Sequence, residues 1–151
     1  VVIHPLTDDR RELPVEKLGR LYRARPEFML AVSYNPGYQS VLKDLKPSTR
    51  QRFVSLNFDY PDASMEKEIV MKESGAGDEL TGKLVQLAGM TRSLKDSGLA
   101  EGASTRLIIH TIRLIQSGID TVSGIRAGMI ESLTDDPELL AAMDEMVSSL
   151  F

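Results

Sequence analysis

FMLAVSYNPGYQSVLKDLKPSTRQRF, residues 28–53, is the stretch that decides the predicted fold. Residues 28–34 are nearly all apolar, which favours a strand buried on both faces of a parallel sheet. Residues 53–58 alternate between apolar and polar types and predict a second strand. A weaker alternation at 11–18, interrupted by Pro14, predicts an edge strand or a hairpin arm. Together these segments indicate part of an α/β domain.

The pattern changes to helices after Pro61. Apolar residues then recur at spacings of three and four, between capping residues and glycines. Predicted helices cover 63–74, 78–96, 105–117, 121–132 and 136–150. Two strands and a hairpin cannot cover both faces of a buried strand, so we interpret residues 1–60 as the second half of an α/β domain whose first half lies upstream. Residues 61–151 are predicted to form an all-α unit.

Composition indicates a folded chain of ordinary type. Its 151 residues are 42% hydrophobic and 26% charged, which is typical of globular proteins. No apolar run approaches the ~20 residues of a membrane span, so we expect no membrane insertion. The chain has no cysteine, which excludes cysteine-based metal sites and fits a reducing cytoplasm.

Charge is distributed unevenly along the chain. Residues 1–58 carry ten Lys and Arg against six Asp and Glu, a balance of +4, whereas residues 59–151 carry eight against sixteen, a balance of −8. This division predicts two units with different partners. The net charge of −4 argues against a general nucleic-acid-binding role.

Asn35 directly follows the apolar run, where a buried parallel strand would reach its C-terminal end. Ligands bind at such strand ends in open α/β sheets. An amide there can orient a water molecule or contact a phosphate oxygen. The same residue, placed before Pro36 and Gly37, also fits an ordinary turn, and spacing alone favours the turn.

Arg50 and Arg52 end a helical turn that is predicted to begin at Pro47. A planar guanidinium suits phosphate recognition, and an arginine from a neighbouring subunit can stabilise charge that develops in phosphoryl transfer. With Lys43 and Lys46 close in sequence, the two arginines also fit a solvated basic face. Taken alone, the charge pattern favours that simpler alternative.

Arg106 lies in the first turn of the helix that Ser104 is predicted to cap. A cation at this end opposes the helix dipole, which favours anions by about 0.3–1 kcal/mol. An anion held jointly by the helix N-terminus and the guanidinium would explain the position. A solvent-screened arginine explains it equally well.

Residues 77–84, GDELTGKL, match the G-x₄-G-K part of a phosphate-binding loop. Leu84 stands where such a loop needs Ser or Thr, and no predicted strand precedes the match. The stretch falls instead within the amphipathic pattern of the helix predicted at 78–96. We therefore reject it as a phosphate loop.

Three segments of the sequence, which contain the candidate site residues, resemble a known protein family. SYNPGYQSVLKDLKPSTRQRF at 33–53, FDYP at 58–61 and EGASTRL at 101–107 resemble the CbbQ/NirQ/NorQ family of MoxR-like AAA+ ATPases. The resemblance extends over essentially the whole chain. It implies an α/β fold class, namely a fragment of an AAA+ P-loop NTPase. The fragment would hold the C-terminal half of the parallel-sheet core at 1–60 and an all-α lid subdomain at 61–151.

The resemblance implies a role for each candidate residue. Asn35 would be the first sensor, which positions the attacking water near the γ-phosphate of ATP. Arg52 would be the arginine finger that reaches a neighbour's nucleotide, with Arg50 as the nearby candidate or its support. Arg106 would be the second sensor, on the helical lid. Residues 10–20 would belong to a hairpin near the central pore.

Two parts of the family's site are missing from this sequence: the phosphate loop with its lysine, and the acidic Walker B strand. We expect both upstream of Val1, together with the ligands of Mg²⁺. The sequence is therefore interpreted as a fragment, and we expect it to be unable to hydrolyse ATP alone.

The family resemblance implies an ATP-driven activating chaperone, which works as a hexameric ring in the cytoplasm with a von Willebrand factor A-type partner. Its target would be inhibited Rubisco for CbbQ-like members, or nitric oxide reductase for NirQ/NorQ-like members. The rival hypothesis is a non-enzymatic helical interaction module, whose acidic C-terminal helices bind a basic partner. A phosphate loop within the preceding ~120 residues would favour the ATPase.

Overall fold

The computed structural model describes residues 4–33 and 47–151. The chain divides into two compact units, Val1–Asn57 and Phe58–Phe151. This division lies three residues before the boundary that the sequence predicts between Tyr60 and Pro61.

The first unit contains an antiparallel hairpin. Strand β1 spans Glu12–Val15 and strand β2 spans Arg20–Arg23, with Glu12 opposite Arg23 at the open end. Gly19 precedes β2 at a φ of 56°, in the left-handed region that glycine adopts without steric cost. The hairpin arm predicted at 11–18 is confirmed for Glu12–Val15, whereas Glu16–Leu18 form a 3₁₀ turn between the two strands.

Two predicted strands are wrong for the residues that the structure describes. Residues 28–33 and 53–58 have no strand conformation, and Met29 and Val54 are 84% and 91% exposed. A strand needs a neighbour to pair its backbone N–H and C=O groups. Within 4–33 and 47–151 no segment supplies that neighbour, and β1–β2 is the only sheet there. The predicted parallel core is therefore not seen.

The short helix α1, Pro47–Arg50, is the turn that proline was predicted to begin. Proline suits the first position of a helix because its φ is already helical and it needs no hydrogen-bond partner for an N–H group. Arg50 is the last residue of α1, and Arg52 follows two residues later.

All regular secondary structure in the second unit is helical. It contains α2 (Ala63–Ser74), α3 (Asp78–Ser93), α4 (Thr105–Gln116), α5 (Thr121–Ile125) and α6 (Pro137–Leu150). All five predicted helices are confirmed. Two of them end in other helical forms: α3 continues as the 3₁₀ turn Leu94–Ser97, and α5 continues as the π-helix Arg126–Ile130.

Side-chain caps mark the start of four of these helices, α2, α4, α5 and α6. Asp62 accepts a hydrogen bond from the Met65 backbone N–H at 2.9 Å, and Ser104 accepts one from Leu107 at 3.2 Å. Each cap satisfies a backbone donor that has no partner inside the helix. The sequence signals therefore act locally, which explains why they predicted the helix starts.

The core of the second unit lies between α2, α3, α4, α5, the π-helix and α6. Buried apolar side chains at helical spacing supply it: Leu84, Leu87, Ile108, Ile112, Ile125, Met129, Ile130 and Met143. His110 is exposed on α4. Among the described helices, none combines the length and apolar character needed to cross a bilayer.

Candidate functional site

Arg106 is the second residue of α4, and its side chain is exposed. The first turn of α4 contains no acidic residue. Within the described residues no hydrogen bond or ion pair occupies the Arg106 guanidinium. A helix N-terminus attracts anions, and a guanidinium can donate to two phosphate oxygens at once. This end of α4 therefore has the chemistry of a phosphate contact.

The segment before α4 is held against α3. Ala103 is fully buried, its N–H donates to Thr91 Oγ1 at 3.0 Å, and its carbonyl accepts from Arg92 Nε at 2.8 Å. A Cβ on Gly102 would lie 2.5 Å from the Arg92 Cα, so only glycine fits there. The path of the chain into α4 is therefore set by contacts with the last turn of α3.

Glu66 and Arg92 form a buried ion pair beside this segment. Arg92 Nη1 and Nη2 each donate to one oxygen of the Glu66 carboxylate at 2.7 Å. The Glu66 side chain is 1% exposed and that of Arg92 is 15% exposed. The Thr105 hydroxyl donates to the same carboxylate at 2.5 Å. Glu66 thus contacts the first residue of α4 directly.

Tyr60 lies over one face of the Arg92 guanidinium. The guanidinium carbon lies 3.9 Å from the centre of the Tyr60 ring, within the range of a cation–π contact. The Tyr60 hydroxyl donates to the Gly102 carbonyl at 3.4 Å. Partial burial raises the pKa of Tyr60, and the nearby Glu101 carboxylate raises it further. The hydroxyl is therefore neutral at physiological pH.

Arg52 lies in the first unit and contacts its own chain. Its Nη1 donates to Asp8 at 3.1 Å and its Nε donates to the Ser48 carbonyl at 3.3 Å. The pKa of Asp8 is held far below its usual range, mainly by hydrogen bonds from Arg10, with Arg52 adding to them. Asp8 is therefore an anion that a phosphate would have to replace at Arg52.

Arg50 is exposed, and its side chain forms no hydrogen bond or ion pair with a described residue. It differs in this respect from Arg52. Asn35 lies outside the described residues, as do Lys43 and Lys46. The structure brings Arg50 and Arg52 into one unit and places Arg106 in the other.

The rejection of 77–84 as a phosphate loop is confirmed. Gly77 is the N-cap of α3, and the next seven residues lie within that helix. Lys83 approaches Glu79 at 3.5 Å, one helical turn earlier, and its amine lies 5.3 Å from the Phe151 ring centre. The Lys83 amine is therefore engaged with Glu79 on the same helix and with Phe151 at the end of α6.

The described residues include a group that suits a nucleotide phosphate, but they include no cluster that could hold a metal ion. The exposed guanidinium of Arg106 suits a phosphate group. Across 4–33 and 47–151, no three or more His, Asp or Glu side chains cluster closely enough to hold a metal ion. The location of the Mg²⁺ ligands upstream of Val1 stays a prediction.

Sequence reasoning missed Tyr60, Glu66 and Arg92. Arg92 and Glu66 are separated by 26 residues, and the spacing of neither residue marks it as buried. Glu66 follows Met65 in a helix with several charged residues, where a solvent-exposed position is the ordinary expectation. A contact of this kind becomes visible only when α2, α3 and α4 are assembled.

Comparison with known proteins supports the family resemblance. The model of the CbbQ/NirQ/NorQ C-terminal family matches residues 66–150. Protein NorQ of Paracoccus denitrificans is 50% identical over the whole chain, which covers 56% of that protein. Denitrification regulatory protein NirQ of Pseudomonas aeruginosa is 53% identical over 97% of the chain and 56% of that protein.

A third relative is a CbbQ protein. Protein CbbQ of Hydrogenophilus thermoluteolus is 48% identical over the whole chain, which covers 57% of that protein. The chain spans about half the length of these curated relatives. The matched family region covers α3 to α6 and begins at the buried Glu66. On this similarity and the family match, the chain belongs to the CbbQ/NirQ/NorQ family.

Proposed function

We propose that this chain is the sensing and lid part of an AAA+ ATPase that acts as an activating chaperone. The observation that carries the proposal is the exposed Arg106 guanidinium in the first turn of α4, without a partner among the described residues. Similarity to NorQ, NirQ and CbbQ over essentially the whole chain supports it. Arg106 would contact the phosphates of ATP bound to the same subunit, as the second sensor.

ATP, when bound with Mg²⁺, supplies the phosphoanhydride bond whose hydrolysis drives remodelling. Asn35 would orient the attacking water through its amide, and Arg106 would balance phosphate charge from the lid. The phosphate loop, the Walker B strand and the metal ligands would come from the part of the relatives' length that this chain does not cover. In that arrangement this chain would sense the nucleotide, and the phosphate loop outside this chain would bind its phosphates.

Arg50 and Arg52 would serve the nucleotide of a neighbouring subunit, which requires a ring. Arg52 is the family-based choice for the finger, but it already binds Asp8 within its own chain. Arg50 is exposed and could reach a neighbour without breaking a contact. If Arg52 is the finger, it must exchange Asp8 for phosphate when the ring assembles.

The remaining parts of the proposal concern partners. A hexameric ring would work with a von Willebrand factor A-type adaptor on one of two targets, inhibited Rubisco or nitric oxide reductase. The relative named as a denitrification regulatory protein, at 53% identity, supports the second target. Purified full-length protein with its adaptor should restore activity to one inactive target enzyme and leave the other unchanged.

The role of Arg106 is tested in the full-length protein that carries this sequence. Arg106→Ala should weaken ATP binding by about 10- to 100-fold, since a hydrogen bond to a charged group contributes about 1.5–3 kcal/mol. Arg113→Ala is the matched control, because Arg113 is also exposed on α4 but lies in its last turn. Equal ATP affinity in both variants would contradict the proposed contact.

The trans role is tested by mixing subunits. Arg52→Ala should lose ATPase activity while it still binds ATP, and a loss of ~10³-fold or more is typical of such a finger. Mixing it with subunits inactivated in their own phosphate loop should restore turnover at mixed interfaces. Arg50→Ala, measured in parallel, shows which arginine is needed. No recovery in confirmed mixed rings would argue against a finger acting in trans.

A further inference from the structure

The buried contacts around Glu66 converge on the start of α4. The Glu66 carboxylate accepts three hydrogen bonds, two from Arg92 and one from Thr105. Glu66 lies in the first turn of α2, Arg92 in the last turn of α3 and Thr105 at the first residue of α4. One carboxylate therefore ties three helices together at a single point. We call Tyr60, Glu66, Arg92 and Thr105 the Glu66 network.

Arg92 extends this tie to the segment that precedes α4. Its Nε donates to the Ala103 carbonyl at 2.8 Å while its two terminal nitrogens bind Glu66. Tyr60 lies against the guanidinium and also binds the Gly102 carbonyl. Three of the five donor hydrogens of the guanidinium are thus used within the helical unit. The geometry leaves Arg92 little freedom to move without moving residues 102–105.

Such an arrangement needs a reason beyond stability. Replacing a buried ion pair by well-packed apolar residues is often neutral or stabilising, so the pair by itself is weak grounds for a stabilising role. A bidentate Arg–carboxylate pair does fix geometry, because its two parallel bonds define both distance and plane. The residue whose position it fixes most directly is Thr105, and the next residue is Arg106.

We infer that the four residues of the Glu66 network are positioning residues for Arg106: Tyr60, Glu66, Arg92 and Thr105 set the start of α4 so that the Arg106 guanidinium meets the nucleotide phosphate. The inference rests on the proposed role of Arg106 as the second sensor. It adds that nucleotide affinity depends on a buried network that never touches the nucleotide. A misplacement of about 1 Å can reduce a rate by up to ~10²-fold, so loosening the network should be measurable.

The test uses Thr105→Val in the full-length protein, because valine keeps the shape of threonine and removes only its hydroxyl. Thr111→Val is the matched control on the same helix, since the buried Thr111 hydroxyl has no hydrogen-bond partner among the described residues. We expect Thr105→Val to weaken ATP binding about 10-fold and Thr111→Val to leave it unchanged. Thr105→Ser keeps the hydroxyl that donates to Glu66 and should bind ATP as tightly as the unsubstituted protein.

A double variant separates positioning from general destabilisation. If Thr105 acts through Arg106, adding Thr105→Val to Arg106→Ala should weaken ATP binding no further. Thermal unfolding of each variant is measured alongside. If Thr105→Val does not fold, Tyr60→Phe replaces it, since that change removes only the hydroxyl that binds Gly102. The same non-additivity with Arg106→Ala is then expected.

The outcomes distinguish this inference from the proposed function. An ATP affinity of Thr105→Val equal to that of Thr111→Val, with a defect in Arg106→Ala, would overturn the positioning role and keep the second sensor. Additive losses in the double variant would also overturn it, since Thr105 would then act independently of Arg106. Unchanged ATP affinity in Arg106→Ala would overturn both.

Discussion

The carboxylate of Glu66 and the guanidinium of Arg92 meet through two parallel hydrogen bonds of 2.7 Å each, inside the helical unit. The pair joins the start of α2 to the end of α3 across 26 residues of sequence. Both partners are shielded from water, Glu66 almost completely. Removing one partner therefore leaves the other as a charge in a site built to neutralise it.

Glu66→Ala should lower the free energy of unfolding by about 3–5 kcal/mol, the usual cost of leaving one charge of a buried pair unmatched. Urea denaturation followed by circular dichroism measures this loss. Glu131→Ala is the control, because its pair with Arg126 is 53% exposed on both sides and should contribute less than about 1 kcal/mol. Similar losses in the two variants would contradict a special role for the buried pair.

Gly102→Ala should destabilise the helical unit by about 1–3 kcal/mol, as overpacking in a well-packed site does. The added Cβ would lie 2.5 Å from the Arg92 Cα and 2.7 Å from its backbone nitrogen, and backbone cannot move aside cheaply. Thermal unfolding measures the effect.

Gly89→Ala is the matched control for that substitution. Gly89 lies within α3, and a Cβ there meets nothing within 4 Å. Alanine should then stabilise the helix by about 0.5–1 kcal/mol. A neutral Gly102→Ala would show that the segment before α4 can shift without cost.

Thr91→Val should lower the free energy of unfolding by about 1–3 kcal/mol, because it leaves the buried N–H of Ala103 without a hydrogen-bond acceptor. The Thr91 hydroxyl accepts from the Ala103 N–H at 3.0 Å and donates to the Ala88 carbonyl at 2.8 Å. Thr81→Val, on the same helix, should be close to neutral, since the buried Thr81 hydroxyl has no hydrogen-bond partner in the described part of the chain. Equal effects on the urea midpoint would contradict this distinction.

Stability should fall in acid as the helix caps titrate. Hydrogen bonds from Ser64 and Met65 lower the pKa of Asp62, and those from Ser123 lower the pKa of Asp120. A carboxyl whose folded pKa is lowered stabilises the fold above its unfolded pKa, near 4, and loses that contribution as pH falls through the folded value. The melting temperature should therefore decrease below about pH 4.

Asp62→Asn separates the charge of this cap from its hydrogen bond, because asparagine is also a good N-cap and does not titrate. Between pH 6 and pH 3 the variant should lose less melting temperature than the unsubstituted protein. An identical decrease in both would show that Asp62 does not contribute to the acid sensitivity.

The helices of the second unit were predictable because their signals are local. Asp62, Ser104 and the proline after Asp136 mark three helix starts, and apolar spacing marks the buried faces. A cap acts within three residues of itself, so neighbouring sequence suffices to place it. The strands predicted at 28–34 and 53–58 failed in the described residues for the opposite reason, since a strand exists only where another strand pairs with it.

The candidate site divides in the same way. The sequence by itself determined that Arg106 stands in the first turn of a helix, because Ser104 and the following apolar pattern place that turn. Tertiary structure alone decided that Glu66, Arg92 and Tyr60 hold the start of this helix, since residues 26 to 42 positions apart meet only after the helices pack. A helix cap depends on residues that are adjacent in sequence, so the sequence alone predicts it. A buried ion pair forms only after the helices have packed and have excluded water from both charges.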